Sequence, residues 1–519
     1  MFEIDYGAKT ISHHIPTDYQ DAPCNRRNRS IKRTINEKLR LTGGHLAAFF
    51  SSGRRLVAAA VLLHVVFAAG LFFAGRARIV PALLDRDGIM ESFASDSYEY
   101  RREAVRLEAV LKEDGLRAWA ASPGRAHVKL LSLQFAFFGR LFGHSILSAE
   151  PFNLFCYVAI LTLVLLLGRE VGGRRVGLLA ASVVALWPTF LLHTTQFLKD
   201  PLFIAASLAL ILIVTTWLTR TYSSMRAFVM GALLAVTAGL LLLIRVKFAG
   251  FIFAVACFGF ALLVVRQWRE RRLIYWNMIC PVSILSLGAL VAFYPSTVHR
   301  KQKRYPSDQS GLSKSAAVAG EQLRGIISYP PSGSLPVKMS RNSPQRLSRA
   351  AEKIAFRIGS ARYDFNVSYP ESGSSIDRGV ELRNFKDVIA YLPRAFTVGF
   401  WSPFPATWMS AGKQVGRAGR LLSGAETLFI YLCQLLALVA LWRAPRSLAN
   451  WLLVSIAAFG MIALGLIVSN VGTLYRFRYL FWIMLIILAA KGFDSLLRMW
   501  RGETSDSSQV QFAGERVTQ

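Results

Sequence analysis

Cysteine is scarce, five in 519 residues with no C-x-x-C spacing. Cys156, Cys257, Cys280 and Cys433 fall within apolar runs and Cys24 in a basic leader, so neither a disulfide framework nor a zinc knuckle is on offer. Acidic residues are also few, 31 Asp and Glu against 61 Lys and Arg, leaving a formal charge of +30. There is no nucleotide-binding glycine pattern and no repeat of solenoid period; Gly172-Gly173 sits in a basic turn. What abounds is apolar: 53% hydrophobic and 12% aromatic residues, with a mean hydropathy of +0.38. A soluble enzyme, a fibrous protein and a disordered scaffold are excluded. A chain this apolar and this basic keeps its charge in loops beside anionic membrane phosphate, and nucleic acid is not an expected partner.

Crossing about 30 Å of hydrocarbon takes roughly 20 mostly apolar residues. Such runs lie at 56–75, 150–168, 176–193, 201–218, 227–244, 249–266, 277–295, 425–442, 448–469 and 479–497. The expectation is an all-α, polytopic integral membrane protein of about ten transmembrane helices, with both termini on one side. Lys and Arg concentrate in the leader and in alternate short loops (Arg169, Arg174, Arg175; Arg220, Arg226; Arg266, Arg269, Arg271, Arg272; Arg443, Arg446), which assigns those loops to the cytoplasm. The first span lies too deep in the chain, without a convincing cleavage site, to be a removed signal peptide.

The resulting organisation is a basic cytoplasmic leader 1–54, a transmembrane module 55–295 with a first outer loop 76–149, a large extracytoplasmic loop 296–424, C-terminal transmembrane helices 425–497 and a cytoplasmic tail 498–519. Residues 127–143, apolar but carrying Lys129, Gln134 and Arg140, read as an interfacial helix, because an eleventh span would reverse the charge bias. Within 300–420 there are 20 Lys and Arg against eight Asp and Glu. Ser307–Ser343 reads as flexible, and the aromatic segment 391–408 as lying at the membrane surface.

Ionisable residues at span edges are costly unless paired or hydrated, so they are candidates for function. Asp96 heads an amphipathic helix in which Tyr100, Ala104, Leu107 and Leu111 recur on one face up to about Gly115. With Glu99 three residues on, Asp96 also fits a capping box, and capping alone accounts for it as well as function does. Lys199 and Asp200 end the turn HTTQFLKDP; a snorkelling lysine and a helix cap are the structural alternative. Arg245 and Lys247 occupy a tight outer turn, and Tyr475, Arg476 and Arg478 precede the last span, where an aromatic belt with snorkelling cations is the plainer reading. All of these fall on the outer face. Outer arginines run against the orientation bias, and an anionic lipid headgroup gives them a reason.

The pattern resembles the multispan GT-C glycosyltransferases that use polyprenyl-phosphate sugars, including protein O-mannosyltransferases and lipid A aminoarabinose transferases. The resemblance runs over about 55–295 and resumes at 384–495. It is carried by the basic leader and first span, Asp96-x3-Tyr100-x3-Ala104, Leu141-Phe142-Gly143, Leu167-Gly168-Arg169, Leu186-Trp187-Pro188, Lys199-Asp200 and the run from Asn470 to Arg478.

It implies an inverting membrane enzyme of a bacterial inner membrane that moves a hexose or pentose from a polyprenyl-phosphate donor to a glycan or lipid acceptor outside, in envelope or exopolysaccharide assembly. By the same resemblance Asp96 and Asp200 are catalytic, Lys199, Arg245, Arg476 and Arg478 bind the donor phosphate, and Tyr100 supports them. No cofactor is certain. A divalent metal has room in the scheme, but Ser95 and Ser97 flank Asp96 where several relatives have paired carboxylates, so no metal ligand is assigned. The chain ends soon after the tenth span, without the soluble C-terminal domain of some relatives. Two rivals remain: a polymerase or ligase of lipid-linked glycans, for which Asp96 would be dispensable, and a flippase or exporter of an anionic lipid-linked glycan. A transporter lines a mid-membrane path with polar groups, whereas the spans hold mainly His64, Gln434 and scattered Ser and Thr.

Overall fold

The computed structural model describes residues 52–90, 94, 96–245, 249–271, 273–278, 346–368, 374–410, 412 and 416–502. The basic leader, all but the first two residues of the run 277–295, Lys247, the Ser307–Ser343 stretch and most of the C-terminal tail lie outside them. The chain divides into a unit Met1–Leu56 and a unit Val57–Gln519. The second holds the helix bundle of an all-α, multi-pass membrane protein.

The helices, in chain order, are α1 (Gly53–Arg76), α2 (Asp96–Glu113), α3 (Ala126–Phe142), α4 (Ile146–Gly172), α5 (Arg174–Ala185), α6 (Pro188–Thr194), α7 (Asp200–Thr219), α8 (Ser224–Ile244), α9 (Ala249–Glu270), α10 (Arg346–Ser368), α11 (Phe385–Trp401), α12 (Gly416–Arg443), α13 (Leu448–Ile467), α14 (Val471–Phe477) and α15 (Tyr479–Trp500), with a short helix Gly115–Ala121 between α2 and α3. Among the described residues eight are long and apolar enough to cross a bilayer, or nine if α5 and α6 form one broken span. Nine of the ten expected runs therefore coincide with helices. The run 176–193 is not straight: α5 and α6 meet at 71°. Pro188 disfavours helical backbone at Trp187 before it, and Trp187 is extended (ψ 111°).

The two ends of the bundle are distinct. At one end Arg220 pairs with Glu170, Arg266 donates to the carbonyls of Trp217 (2.8 Å) and Arg220 (2.6 Å), Arg269 to that of Arg446 (3.1 Å), and Lys491 to Val171 O and Asn450 Oδ1, both at 2.8 Å. These are the ends carrying the short basic loops. At the other end gather α2, α3, the turn after α6, and α14. Apolar side chains such as Leu62, Phe228, Leu435 and Trp442 point outward from the spans, as hydrocarbon requires.

The aromatic segment 391–408 departs from expectation. Its helix does not lie flat across the end of the bundle but runs antiparallel along α13. A Cβ on Gly399 would sit 2.2 Å from the Met461 carbonyl, and one on Gly465 2.1 Å from that of Ala395. Small residues at the crossing let the backbones touch, the usual route to close packing where lipid gives no hydrophobic drive. Buried Arg362 of α10 fastens the outer edge of this pair. It donates to the carbonyls of Leu466 (2.9 Å), Val380 (3.1 Å) and Asp377 (2.6 Å).

Candidate active site

Four segments remote in sequence meet at the end of the bundle opposite the basic loops. Asp96 opens α2; Lys199 and Asp200 close the turn after α6 and start α7; Arg245 follows α8; Arg476 lies in α14. The amphipathic face of α2 fixes the first, since Tyr100, Ala104 and Leu107 are buried with Val128, Leu131 and Phe135 of α3. Asn470 caps α14 by accepting from the Gly472 amide at 2.9 Å, and the preceding backbone pairs with 374–376 through Ile376 N to Ser469 O (2.7 Å) and Val471 N to Ser374 O (3.0 Å).

Arg476 joins the two carboxylates. Its Nη2 donates to Asp96 Oδ2 at 2.7 Å, and its Nε lies 3.3 Å from Asp200 Oδ2. Asp200 also pairs with Arg245 and lies 3.3 Å from His193 Nε2. Arg245 is held between the rings of Phe203 and Phe477, 5.0 and 4.7 Å from their centroids. The two acids are unequal: the side chain of Asp200 is 6% exposed and that of Asp96 20%. Asp200 is thus a buried hub for two arginines, and Asp96 is the carboxylate that solvent reaches.

Tyr100 forms a floor beside them. Lys199 Nζ stands 5.6 Å from its ring centroid, the Arg125 guanidinium 5.1 Å, and His127 meets it edge-on at 4.7 Å. The Lys199 ammonium forms no ion pair or hydrogen bond among the described residues, and the buried Nε2 of His127 has no partner there either.

Burial pushes the Asp96 carboxyl up, but the Arg476 charge and hydrogen bond, with Lys199 and Arg245 behind, outweigh it and hold the group below the usual carboxylate range. Burial, aided by Arg245, pushes the Lys199 ammonium down to about 8. Burial and the surrounding Lys199, Arg125 and Arg245 push His127 down to about 3, so its imidazole is neutral. Burial and the Asp96 charge push the Tyr100 hydroxyl up to about 12.

Two expectations change. The capping box of Asp96 and Glu99 is replaced by tertiary pairs, since Asp96 turns to Arg476 and Glu99 to Arg125. Arg478 does not join the other cations. It is fully buried, donates from Nη1 to Gly399 O at 3.0 Å, and stacks 4.6 Å from the Trp482 ring. Burial pushes its guanidinium down to about 10. Residues two apart on a helix do not share a face.

Among the described residues no group of three or more His, Cys, Asp and Glu is placed to hold a metal ion. Asp96 and Asp200 each already meet a guanidinium, which competes with a divalent cation for the same oxygens. His127, His193, Arg125 and the aromatic clamp Phe203 and Phe477 were not singled out by the sequence. Nothing local marks His193 or the clamp; His127 stands in the first turn of an amphipathic helix, where an unpaired imidazole is a fair signal.

No family model matches the chain, and no curated protein matches it. Among solved structures it is similar to the archaeal oligosaccharyltransferase AglB from Archaeoglobus fulgidus in complex with an inhibitory peptide and a dolichol-phosphate, at 13% identity and a TM-score of 0.42 over 86% of this chain and 51% of that one. It is likewise similar to the apo form of the Archaeoglobus fulgidus oligosaccharyltransferase, at 14% identity and a TM-score of 0.42 over the same shares. The chain spans about half the length of these structures.

Proposed function

We propose that this chain is a GT-C-type membrane glycosyltransferase that moves a sugar from a polyprenyl-phosphate donor to an acceptor hydroxyl, with inversion. The observation that carries the reading is the gathering of Asp96, Lys199, Asp200, Arg245 and Arg476 from four segments into one cluster at one end of the bundle. With the basic loops at the opposite end, the positive-inside bias favours cytoplasmic termini and a cluster on the far face, and the resemblance makes that membrane a bacterial inner one, with the cluster facing the periplasm. Loops 76–149 and 296–424 are then the outer modules, and envelope or exopolysaccharide assembly is the setting.

In this reading the acceptor oxygen attacks the anomeric carbon as the bond from that carbon to the phosphate oxygen breaks. The electron pair leaves on polyprenyl phosphate, and the acceptor proton passes to Asp96. Lys199 supplies a cation that pairs with no carboxylate among the described residues, and Arg245 and Arg476 add positive charge where the leaving phosphate gains its negative charge, the electrostatic term that lowers such barriers most. Asp200 holds the two arginines rather than touching the acceptor. Tyr100 carries Lys199 and Arg125 on its ring. A proton acceptor in place is typically worth about 10² to 10⁴ in rate.

Membranes supplied with radiolabelled polyprenyl-phosphate sugar test this. Asp96→Asn abolishes transfer and keeps donor binding; turnover like that of the wild type from this variant removes the assignment.

A further inference from the structure

Glu426 is 7% exposed and lies in the N-terminal half of α12, among apolar side chains. A carboxylate there is expensive unless donors converge on it. Three do. Oε1 accepts from the Thr189 backbone amide at 3.0 Å, and Oε2 accepts from the Thr189 hydroxyl and from the Tyr475 hydroxyl. Among the described residues no lysine or arginine pairs with it, so its contacts are all with hydrogen-bond donors of two other elements.

Those two elements are the ones that deliver the cluster. Thr189 stands in the first turn of α6, the short helix after the 71° break, and the chain leaves α6 through His193 to Lys199 and Asp200. Tyr475 adjoins Arg476 in α14. One carboxylate therefore fixes both the segment that supplies Lys199 and Asp200 and the segment that supplies the arginine set against Asp200. The far end of α6 is tied down separately, where Thr194 Oγ1 meets His64 Nε2 at 3.0 Å and His64 Nδ1 meets Glu150 at 2.7 Å. At its first turn Glu426 supplies a link to α14, reinforcing the direct hydrogen bond between the Thr189 and Tyr475 side chains.

We infer that Glu426 is a positioning residue for the phosphate-binding cations, clamping α6 to α14 through Thr189 and Tyr475 so that Lys199, Asp200 and Arg476 keep one geometry. The inference rests on the glycosyl-transfer reading insofar as the ligand of those cations is a lipid phosphate. Packing alone does not ask for a carboxylate here; an apolar side chain would fill the space without desolvating a charge.

The test is binding of undecaprenyl phosphate to the purified full-length chain, with thermal midpoints recorded alongside. Glu426→Gln keeps the shape and loses the charge, and its affinity falls about ten-fold or more, as displacement of supporting geometry does. Tyr475→Phe and Thr189→Val remove one donor each and leave the buried carboxylate its remaining partners, so they keep the test open should the glutamine variant fail to fold. Each weakens binding, and adding Tyr475→Phe to Glu426→Gln weakens it little further, since both cut the same link. Glu426→Asp recovers part of the affinity. A folded Glu426→Gln or Tyr475→Phe protein that binds like the wild type overturns the inference, as does full additivity of the pair. Lack of binding by the wild type itself removes the lipid-phosphate reading; additivity of the same pair in thermal midpoint then sinks the clamp, and non-additivity upholds it.

Discussion

Arg476 and Asp96 stand 380 positions apart and meet at 2.7 Å. The same guanidinium lies 3.3 Å from Asp200, so one planar group spans two carboxylates. Lysine offers a point charge without that fork and does not reproduce both contacts in the same geometry. Arg476→Lys is therefore expected to lower undecaprenyl phosphate affinity about ten-fold, the order of one charge-assisted hydrogen bond. Calorimetry on the purified variant checks it, and unchanged affinity would separate Arg476 from the ligand.

Lys199 gives the site a basic limb. Its ammonium titrates near 8 instead of the ordinary 10.5, because burial and Arg245 oppose its charge. Below that point it is a cation facing the phosphate; as pH rises through it the charge and the attraction are lost. Stability moves the other way, since between 8 and 10.5 the folded chain binds fewer protons than the unfolded one and folding gains as pH rises. Losing the Lys199 proton above pH 8 therefore does not itself destabilise the fold, and a thermal midpoint recorded across the same pH range separates loss of binding from unfolding. Lys199→Arg carries the limb to higher pH, and a profile that keeps its inflection in that variant would assign it elsewhere.

The spans were legible because long apolar runs have one structural outcome in a bilayer. Asp96, Lys199, Asp200, Arg245 and Arg476 could be singled out as ions at span edges, but that they gather at one place is a tertiary fact no spacing encodes. Arg476 and Arg478 look alike in sequence and part company only because the backbone between them is helical. Glu426 carried the signal that was missed: it lies within the run 425–442, an ionisable residue inside a span. Gly399 and Gly465 carried another, since small residues on two apolar helices mark a close crossing, and they explain why the aromatic segment follows α13.

His127 is neutral, with a buried Nε2 that no described group satisfies, beside the Tyr100 floor. An unpartnered ring nitrogen in this pocket suits a hydroxyl of the bound sugar or acceptor, which can accept from it or donate to it according to the tautomer. His127→Phe keeps the ring packing and removes that nitrogen, so kcat/KM for sugar transfer drops about ten-fold, while undecaprenyl phosphate, which has no sugar hydroxyl, binds as before. His127→Gln restores a hydrogen-bonding group and part of the rate. Equal kinetics for the phenylalanine variant and the wild type would reduce His127 to a packing residue.

The crossing of α11 and α13 sets a stability test away from the ion cluster. Gly465 faces the Ala395 carbonyl so closely that a methyl would stand 2.1 Å from the oxygen, and backbone on both sides cannot yield as a flexible side chain could. Gly465→Ala must push the helices apart. That separation also strains the Arg362 donation to Leu466 O at 2.9 Å, one residue along. Overpacking of this kind costs about 1–3 kcal/mol, to be read as a lowered thermal midpoint in detergent. Gly70, whose added Cβ would meet nothing within 4 Å, is the matched control; Gly70→Ala should hold or raise the midpoint, since alanine is the better helix former. Equal midpoints for the two variants would mean that α11 does not pack on α13 at this crossing.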